Sequence, residues 1–469
     1  MHGDLIIIGA GPAGIAAGAE AARHGLSAML LDEQAQAGGQ IYRDVDRGAP
    51  LRADILGQDY TDGQGLTAGL DDARITHVTG AVVWAIEAGF RVSYTRDGRG
   101  TQARADRILL ATGALERPMT VPGWTLPGAM TAGAGQILIK QSGVVARRAV
   151  LLGCGPLLYL LAAQMVRAGT PPLALVETQR RADLLRAAPH LGGALRGWPY
   201  LAKGLRLLAE IVRARVPRHV GATSVAIEGD THAEAVTFKA GGKRHRIACD
   251  TVLMHHGVVP NAEAARSLGV PHCWAAMQHA FLPEINEWGG TAVEGIFIAG
   301  DGAGIGGAKV AEIAGRLAAL KIASDSEALA AEARDAAAAP LHRARTKELA
   351  VRPFLDTAYP PFAEALSPAD ATIVCRCEEV TAGAIRGYAK LGCLGPNQTK
   401  AFGRPGMGPC QGRYCGLTVT TLLAEMHGRT PDETGYYRIR APLKPVTLGE
   451  LAAMQPPEPA EEAAARDRA

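Results

Sequence analysis

The chain has 469 residues, 48% of them apolar, enough for about three domains with well-filled cores. Its formal net charge is only +3 and its pI is near 8.4; no Lys/Arg block is interleaved with aromatics, which argues against a nucleic-acid groove. Eight cysteines, five of them between residues 375 and 415, are too few for a secreted disulfide scaffold and fit metal or redox use in a reducing, cytoplasmic compartment.

Met1-His2-Gly3-Asp4 runs directly into LIIIGAG, with no basic region or small-residue cleavage site, so no signal peptide is expected. Residues 4–32 then read strand, GAGPAG, helix, strand, acid. Gly9 permits the turn out of the strand, Gly11 lets backbone approach a pyrophosphate, and Gly14 lets the helix lie close on the sheet. Pro12 and Ala13 open the helix, whose free N–H groups and dipole favour phosphate. Gly25 is read as the C-cap, and Asp32 falls where a carboxylate accepts from ribose hydroxyls, with Glu33 able to share that role.

Three further segments, GGQIYR (Gly38–Arg43), ILLATGALERP (Ile108–Pro118) and GIFIAGDGAGIGGA (Gly295–Ala308), complete a pattern over residues 4 to about 320. Together they resemble the two-dinucleotide-binding flavoproteins, which include thioredoxin reductase. The resemblance implies an FAD domain over 1–125 and 275–345, with Gly39, Gln40, Thr112, Gly113, Gly300 and Asp301 beside the cofactor. Independently, Asp301 ends an apolar strand before a Gly-rich turn, where α/β sheets bind ligands; a helix cap is the simpler alternative.

Ala149–Val166 is uncharged and near bilayer length, but Gly153, Gly155 and Pro156 divide it into strand, turn and helix, so at most peripheral membrane association is expected. With Ala174–Glu177 it repeats the nucleotide-binding pattern inside an inserted domain, 126–274. Leu158 stands at the third glycine position, which counts against ordinary NAD(P) binding and leaves NAD(P), or a second nucleotide, an open question there. Cys154, Cys249 and Cys273 are singletons without the paired spacing of a redox disulfide and are read as small buried residues. His255 and His256 are read as packing histidines in preference to flavin neighbours.

An Ala-rich helix ending near residue 339 leads into a Pro-rich linker, 346–369. A small domain, 370–430, offers Cys375 and Cys377 as CxC and Cys410 and Cys415 as CxxxxC. Four thiolates suit either zinc or a [2Fe–2S] cluster, and a redox disulfide of Cys410 with Cys415 is a third reading. The CxC pair, a helix from N-cap Thr381 to C-cap Gly392 and GRPGMGPC resemble the bacterioferritin-associated ferredoxin type of [2Fe–2S] domain, although that type usually ends in CxxC. Arg376, Arg404, Arg413 and the helix starting near Cys415 would offset the cluster's charge. Cys393 is read as a packed thiol. A tail, 431–469, is expected to be disordered at its end.

The expected fold class is therefore α/β, with two Rossmann-like domains, the second inserted in the first, plus a small C-terminal helical [2Fe–2S] domain. A flavin and an iron–sulfur centre in one chain suggest a converter between two-electron and one-electron chemistry. PGWTLPGAMTAGAGQILIK, GDGAGIGGA, CRCEEVT, GMGPCQGRYCG and YYRIRAPLKPVTLGELA resemble, over nearly the whole chain, the alpha (A-type) subunits of opine oxidases. The B-type subunits of hydrogen cyanide synthase and the alpha subunits of D-hydroxyproline and proline dehydrogenases are similar. That family implies a D-amino-acid-oxidase-like beta subunit, carrying its own FAD and removing the hydride. It leaves room for a small additional subunit and for FMN at a subunit interface. No catalytic residue is assigned here, and an NAD(P)H-dependent FAD/iron–sulfur reductase is the alternative.

Overall fold

The computed structural model describes residues 2–87 and 89–454. The first sheet is built from β1 (His2–Ile8), β2 (Ala28–Asp32), β3 (Ile75–Thr79), β4 (Val82–Glu87), β5 (Arg91–Arg96) and β6 (Arg99–Leu110), in the order β3-β2-β1-β6-β5-β4. β1, β2 and β3 are parallel to one another and to β6, whereas β4 and β5 form an antiparallel flap. Parallel strands are buried on both faces, which is why LIII and ILL read as unbroken apolar runs. Helix α1 (Pro12–Arg23) connects β1 to β2; it ends at His24, and Gly25 follows with φ +84°.

The chain leaves this sheet after β6 and forms a second, all-parallel sheet. Its strands are β7 (Ala129–Thr131), β8 (Ala149–Gly153), β9 (Ala174–Glu177), β10 (Arg218–Val220) and β11 (Thr251–His255), in the order β10-β9-β8-β11-β7. Helix α2 (Ala132–Ser142) follows β7, α3 (Pro156–Arg167) follows β8, and α4 (Trp198–Arg213) precedes β10. The uncharged run from Ala149 is thus split into β8 and α3, and no helix among the described residues is long and apolar enough to cross a membrane. Strand β12 (Ile296–Ile298) then returns to pair with β6, and helix α5 (Ala308–Asp325) packs on α1.

The Ala-rich helix α6 runs from Ala331 to Leu349, beyond the end expected near residue 339 and through Pro340. Packing outweighs the lost hydrogen bond, because Ala338 and Leu341 are buried against Leu317 and Leu320 of α5. The C-terminal unit contains a short hairpin, Ile373–Cys375 with Val380–Thr381, and the helices α7 (Ala382–Lys390), α8 (Pro396–Gly403) and α9 (Gly416–His427). Thr381 caps α7 by accepting from the Ala384 amide at 3.2 Å. The chain after residue 430 stays packed here: Tyr437, Ile439 and Leu443 share one core with Val374, Cys415 and Val419, and with Ile6, Ile8 and Leu110 of the first sheet. The tail end expected to be disordered lies outside the described residues beyond 454.

Tyr437 is 2% exposed, and its hydroxyl donates to Pro405 O at 2.8 Å. A Cβ on Gly406 or Gly412 would lie 2.6 or 2.5 Å from its ring, so both glycines make room for it. Tyr437→Ala should destabilise the C-terminal unit by about 3–5 kcal/mol, seen as faster amide exchange across residues 382–427; unchanged protection there would refute this packing role.

Candidate functional site

The first nucleotide turn opens a cavity of about 920 Å³ at the C-terminal edge of the first sheet. Gly9 has φ +109°, and a Cβ there would stand 2.5 Å from Ala111 O. At Gly14 a Cβ would lie 1.9 Å from Gly9 O, so only glycine lets α1 lie this close. Gly39 has φ +61° and its added Cβ would meet Gly11 Cα at 2.8 Å, leaving bare backbone on both sides of the entrance. No side chain caps the N-terminus of α1. Its amides are therefore available to a phosphate, which is the fit a dinucleotide requires.

Twelve of the thirteen expected ligand-binding positions line this cavity: Gly9, Gly11, Pro12, Ala13, Asp32, Glu33, Gly39, Gln40, Thr112, Gly113, Gly300 and Asp301. Gly14 lies beneath the turn and acts through packing. Asp32 accepts from the amides of Ala10 at 2.6 Å and Gln34 at 2.7 Å, which aims its carboxylate into the cavity. Burial raises its pKa and these two amides oppose the rise. Glu33 is instead paired with Lys444 at 2.7 Å, so the C-terminal segment is tied to the cavity rim beside Asp32. Asp301 lines the cavity while its Oδ1 accepts from Gly306 and Gly307, both at 2.9 Å; it orders the turn into α5, the capping alternative, and still faces the ligand space. Gln40 donates to Ala114 O at 3.0 Å and Thr112 to Asn261 O at 2.9 Å.

The four expected metal-ligating cysteines come together as two pairs. Cys415 acts on Cys375 so as to lower Cys375 to about 6 and raise Cys415, and Cys410 lies against Cys377, with burial as the main cause of the raised Cys410 pKa. Backbone amides of Gly406, Glu378 and Cys377 point at Cys375, and those of Tyr414 and Gly412 at Cys410. Such donors suit thiolate sulfur, yet among the described residues no group of three or more Cys, His, Asp or Glu is arranged as a metal site. All eight cysteines are free. Arg404 is paired with Glu378 at 2.8 Å, whereas Arg413, inside the Cys410–Cys415 loop, lines the nucleotide cavity with Leu443 and Lys444. Cys393, Cys154 and Cys249 are buried as expected; Cys273 is exposed, a correction that follows from its place on a two-stranded hairpin at the surface.

The second nucleotide turn is filled by its own chain. Leu158 is 1% exposed and belongs to the core with Leu151 and Leu161. Glu177, at the ribose position, is fully buried and accepts from Tyr159 at 2.5 Å, Gln179 at 2.8 Å and Arg218 at 2.9 Å. The linker covers the turn: Cys154 Sγ donates to Pro360 O at 3.1 Å and the Phe362 amide donates to His256 Nδ1 at 3.1 Å. Burial holds His256 down at about 3, and His255 meets Glu116 at 2.7 Å, so both histidines are structural, as expected. Glu116, Lys140, Arg413 and Lys444 also line the first cavity; Glu116 belongs to the expected segment 108–118, whereas no motif marked the other three as cavity residues, because distant segments deliver them.

Gly14→Ala should abolish flavin retention, read from the absorption spectrum of the purified protein, through the clash with Gly9 O. The inserted domain should show no saturable NADH or NADPH binding by calorimetry, and Leu158→Gly should not create any, because both Glu177 oxygens are already engaged by Tyr159, Gln179 and Arg218.

Residues 3–324 match the family described as pyridine nucleotide-disulphide oxidoreductase, and residues 370–455 match the sarcosine oxidase A3 domain. The A-type subunit of opine oxidase from Agrobacterium tumefaciens (strain Ach5) is 43% identical over 96% of this chain and 91% of its own. The HcnB subunit of hydrogen cyanide synthase from Pseudomonas aeruginosa is 31% identical over 94% of this chain and 96% of its own. The crystal structure of L-proline dehydrogenase from P. horikoshii superposes with a TM-score of 0.72 at 18% identity, over 96% of this chain and 79% of that one, which establishes a common fold. With a glycine-lined dinucleotide cavity, a filled second turn and this coverage, the chain belongs to the family of opine oxidase A-type subunits, FAD-dependent oxidoreductases that work within multi-subunit complexes.

Proposed function

We propose that this chain is the electron-transferring FAD/[2Fe–2S] subunit of a heteromeric dehydrogenase acting on CH–NH groups of an amino acid, imino acid or opine. The observation that carries this reading is the position of Arg413. It lies inside the loop between Cys410 and Cys415 and at the same time forms part of the wall of the nucleotide cavity, so the loop that carries two of the thiols reaches the cofactor space.

FAD supplies two-electron acceptance and a [2Fe–2S] cluster one-electron carriage when each is bound. The chain's own residues do the holding: Gly9 and Gly11 admit a pyrophosphate, α1 presents its amides, Asp32 accepts from ribose, and Cys375, Cys377, Cys410 and Cys415 offer thiolates. Tyr437, 2% exposed, packs in one core with the buried Cys375 and Cys415, and the Tyr436 hydroxyl donates to Gly412 O at 3.2 Å, while Cys377 is exposed. Substrate oxidation is assigned to a partner akin to D-amino-acid oxidases, because every carboxylate and histidine placed so far serves the fold or the dinucleotide. The outer face of α4 is free for a further subunit, with Trp198 63%, Leu205 68% and Val212 61% exposed at heptad spacing. The filled second turn weighs against an NAD(P)H-dependent reductase.

Anaerobically purified protein should contain FAD, iron and acid-labile sulfide. Cys377→Ser and Cys410→Ser should each remove the iron and leave the flavin; zinc in place of iron would refute the cluster. Free amino acids should not reduce the isolated chain until the native partner is added, a stopped-flow measurement that separates electron carrier from complete dehydrogenase.

A further inference from the structure

Lys140 is the last residue of QILIK in α2, a segment that the dinucleotide reading leaves without a role. It is 3% exposed. Its Nζ donates to Gln40 O at 3.0 Å and Ile41 O at 2.8 Å, which uses two of its three protons and supplies no counter-charge. Arg43 shares the same cavity wall, and its Nε is buried without a partner. A third cation, Arg52, donates to the Lys140 carbonyl at 2.7 Å. Desolvation, and then Arg43, pull Lys140 down to about 7.

The carboxylates around the cavity do not answer this charge. Glu33, Asp59, Glu116 and Glu210 are paired with Lys444, Lys203, His255 and Arg167. Asp32 and Asp301 are bonded to backbone amides, and Glu263 lies within the influence of Arg413, Arg266 and Lys400. Two basic groups on one wall, Lys140 buried and Arg43 partly exposed, with no carboxylate paired to either, are better accommodated once an anion arrives.

We propose that Lys140 and Arg43 form an anion-holding wall for the bound dinucleotide, taking its bridging phosphates or the negative charge of its ring in the reduced state. This rests on reading the cavity as a dinucleotide site. Methionine matches the length of the lysine stem and brings no charge. Lys140→Met therefore removes the anion contact and also relieves the uncompensated cation of the apoprotein.

The test uses the full chain, stripped of nucleotide, with calorimetric titration by FAD and by ADP and a thermal scan of each apoprotein. Lys140→Met should weaken FAD on the order of tenfold to a hundredfold, with the apoprotein melting at the same or a higher temperature. Arg43→Ala, at a partly exposed position, should weaken FAD in the same direction. An equal loss for ADP assigns the wall to phosphate; a loss confined to FAD, with a lowered flavin midpoint potential, assigns it to the ring. Unchanged affinity for both ligands, or a lower apo melting temperature with unchanged affinity, overturns the proposal and leaves Lys140 as a tie to residues 40 and 41. If the wild-type chain binds neither FAD nor ADP, the dinucleotide reading itself falls; if it binds and the variants match it, only the anion wall falls.

Discussion

The cysteine-bearing unit and the first nucleotide-binding sheet are packed into one hydrophobic core, and the rest of the molecule is arranged around that fact. Val374, Val419, Leu422 and Tyr437 meet Ile6, Ile8, Ile86 and Leu110 in a single buried cluster. A residue buried on both sides of a boundary cannot move without opening a cavity, at about 24 cal/mol per Å3 of lost packing. The loop holding Cys410 and Cys415 is thus held at the cavity by packing, with Arg413 and Lys444 carried to its rim. Leu443 adds a backbone anchor, its amide donating to Trp84 O at 2.6 Å.

The inserted domain shows what becomes of a nucleotide fold whose ligand site is given over to packing. A ribose-binding carboxylate is costly to bury alone, several kcal/mol for an unpaired charge. Here Glu177 has acquired Arg218, Tyr159 and Gln179 as partners, and Tyr359 of the linker packs edge-on against Tyr159 at 6.2 Å. Chain from the connection to the cysteine unit lies against the second nucleotide turn, with Pro360 and Phe362 bonded to Cys154 and His256. The domain keeps its sheet and helices because those depend on apolar runs, which Leu158 reinforces.

Local signals were the legible ones. The first GxGxxG turn, with its strand, helix and Asp32, could be read because each glycine answers a steric demand within a few residues: Gly9 needs a positive φ, and Gly14 needs to lack a Cβ. Six cavity positions, Gly9, Gly11, Pro12, Ala13, Asp32 and Glu33, followed from this motif, and the other six from the resemblance to the two-dinucleotide-binding flavoproteins. The pairing of Cys375 with Cys415 and of Cys377 with Cys410 could not be read, since CxC and CxxxxC spacing permits several pairings and only the approach of the hairpin to α9 selects one. Helix α6 passes Pro340 because Leu341 finds a buried site on α5, a gain that no local rule contains.

By itself, the amino-acid sequence determined the class of fold, the first dinucleotide turn and the set of thiols, because backbone sterics, side-chain period and ligand chemistry act over short stretches of chain. Only the tertiary structure decided that Glu33 is spent on Lys444, that Arg413 faces the cofactor space and that Lys140 is a buried amine beside Arg43. Those outcomes depend on segments as much as 411 residues apart, and the cost or gain of a charge is set by whatever folding brings beside it.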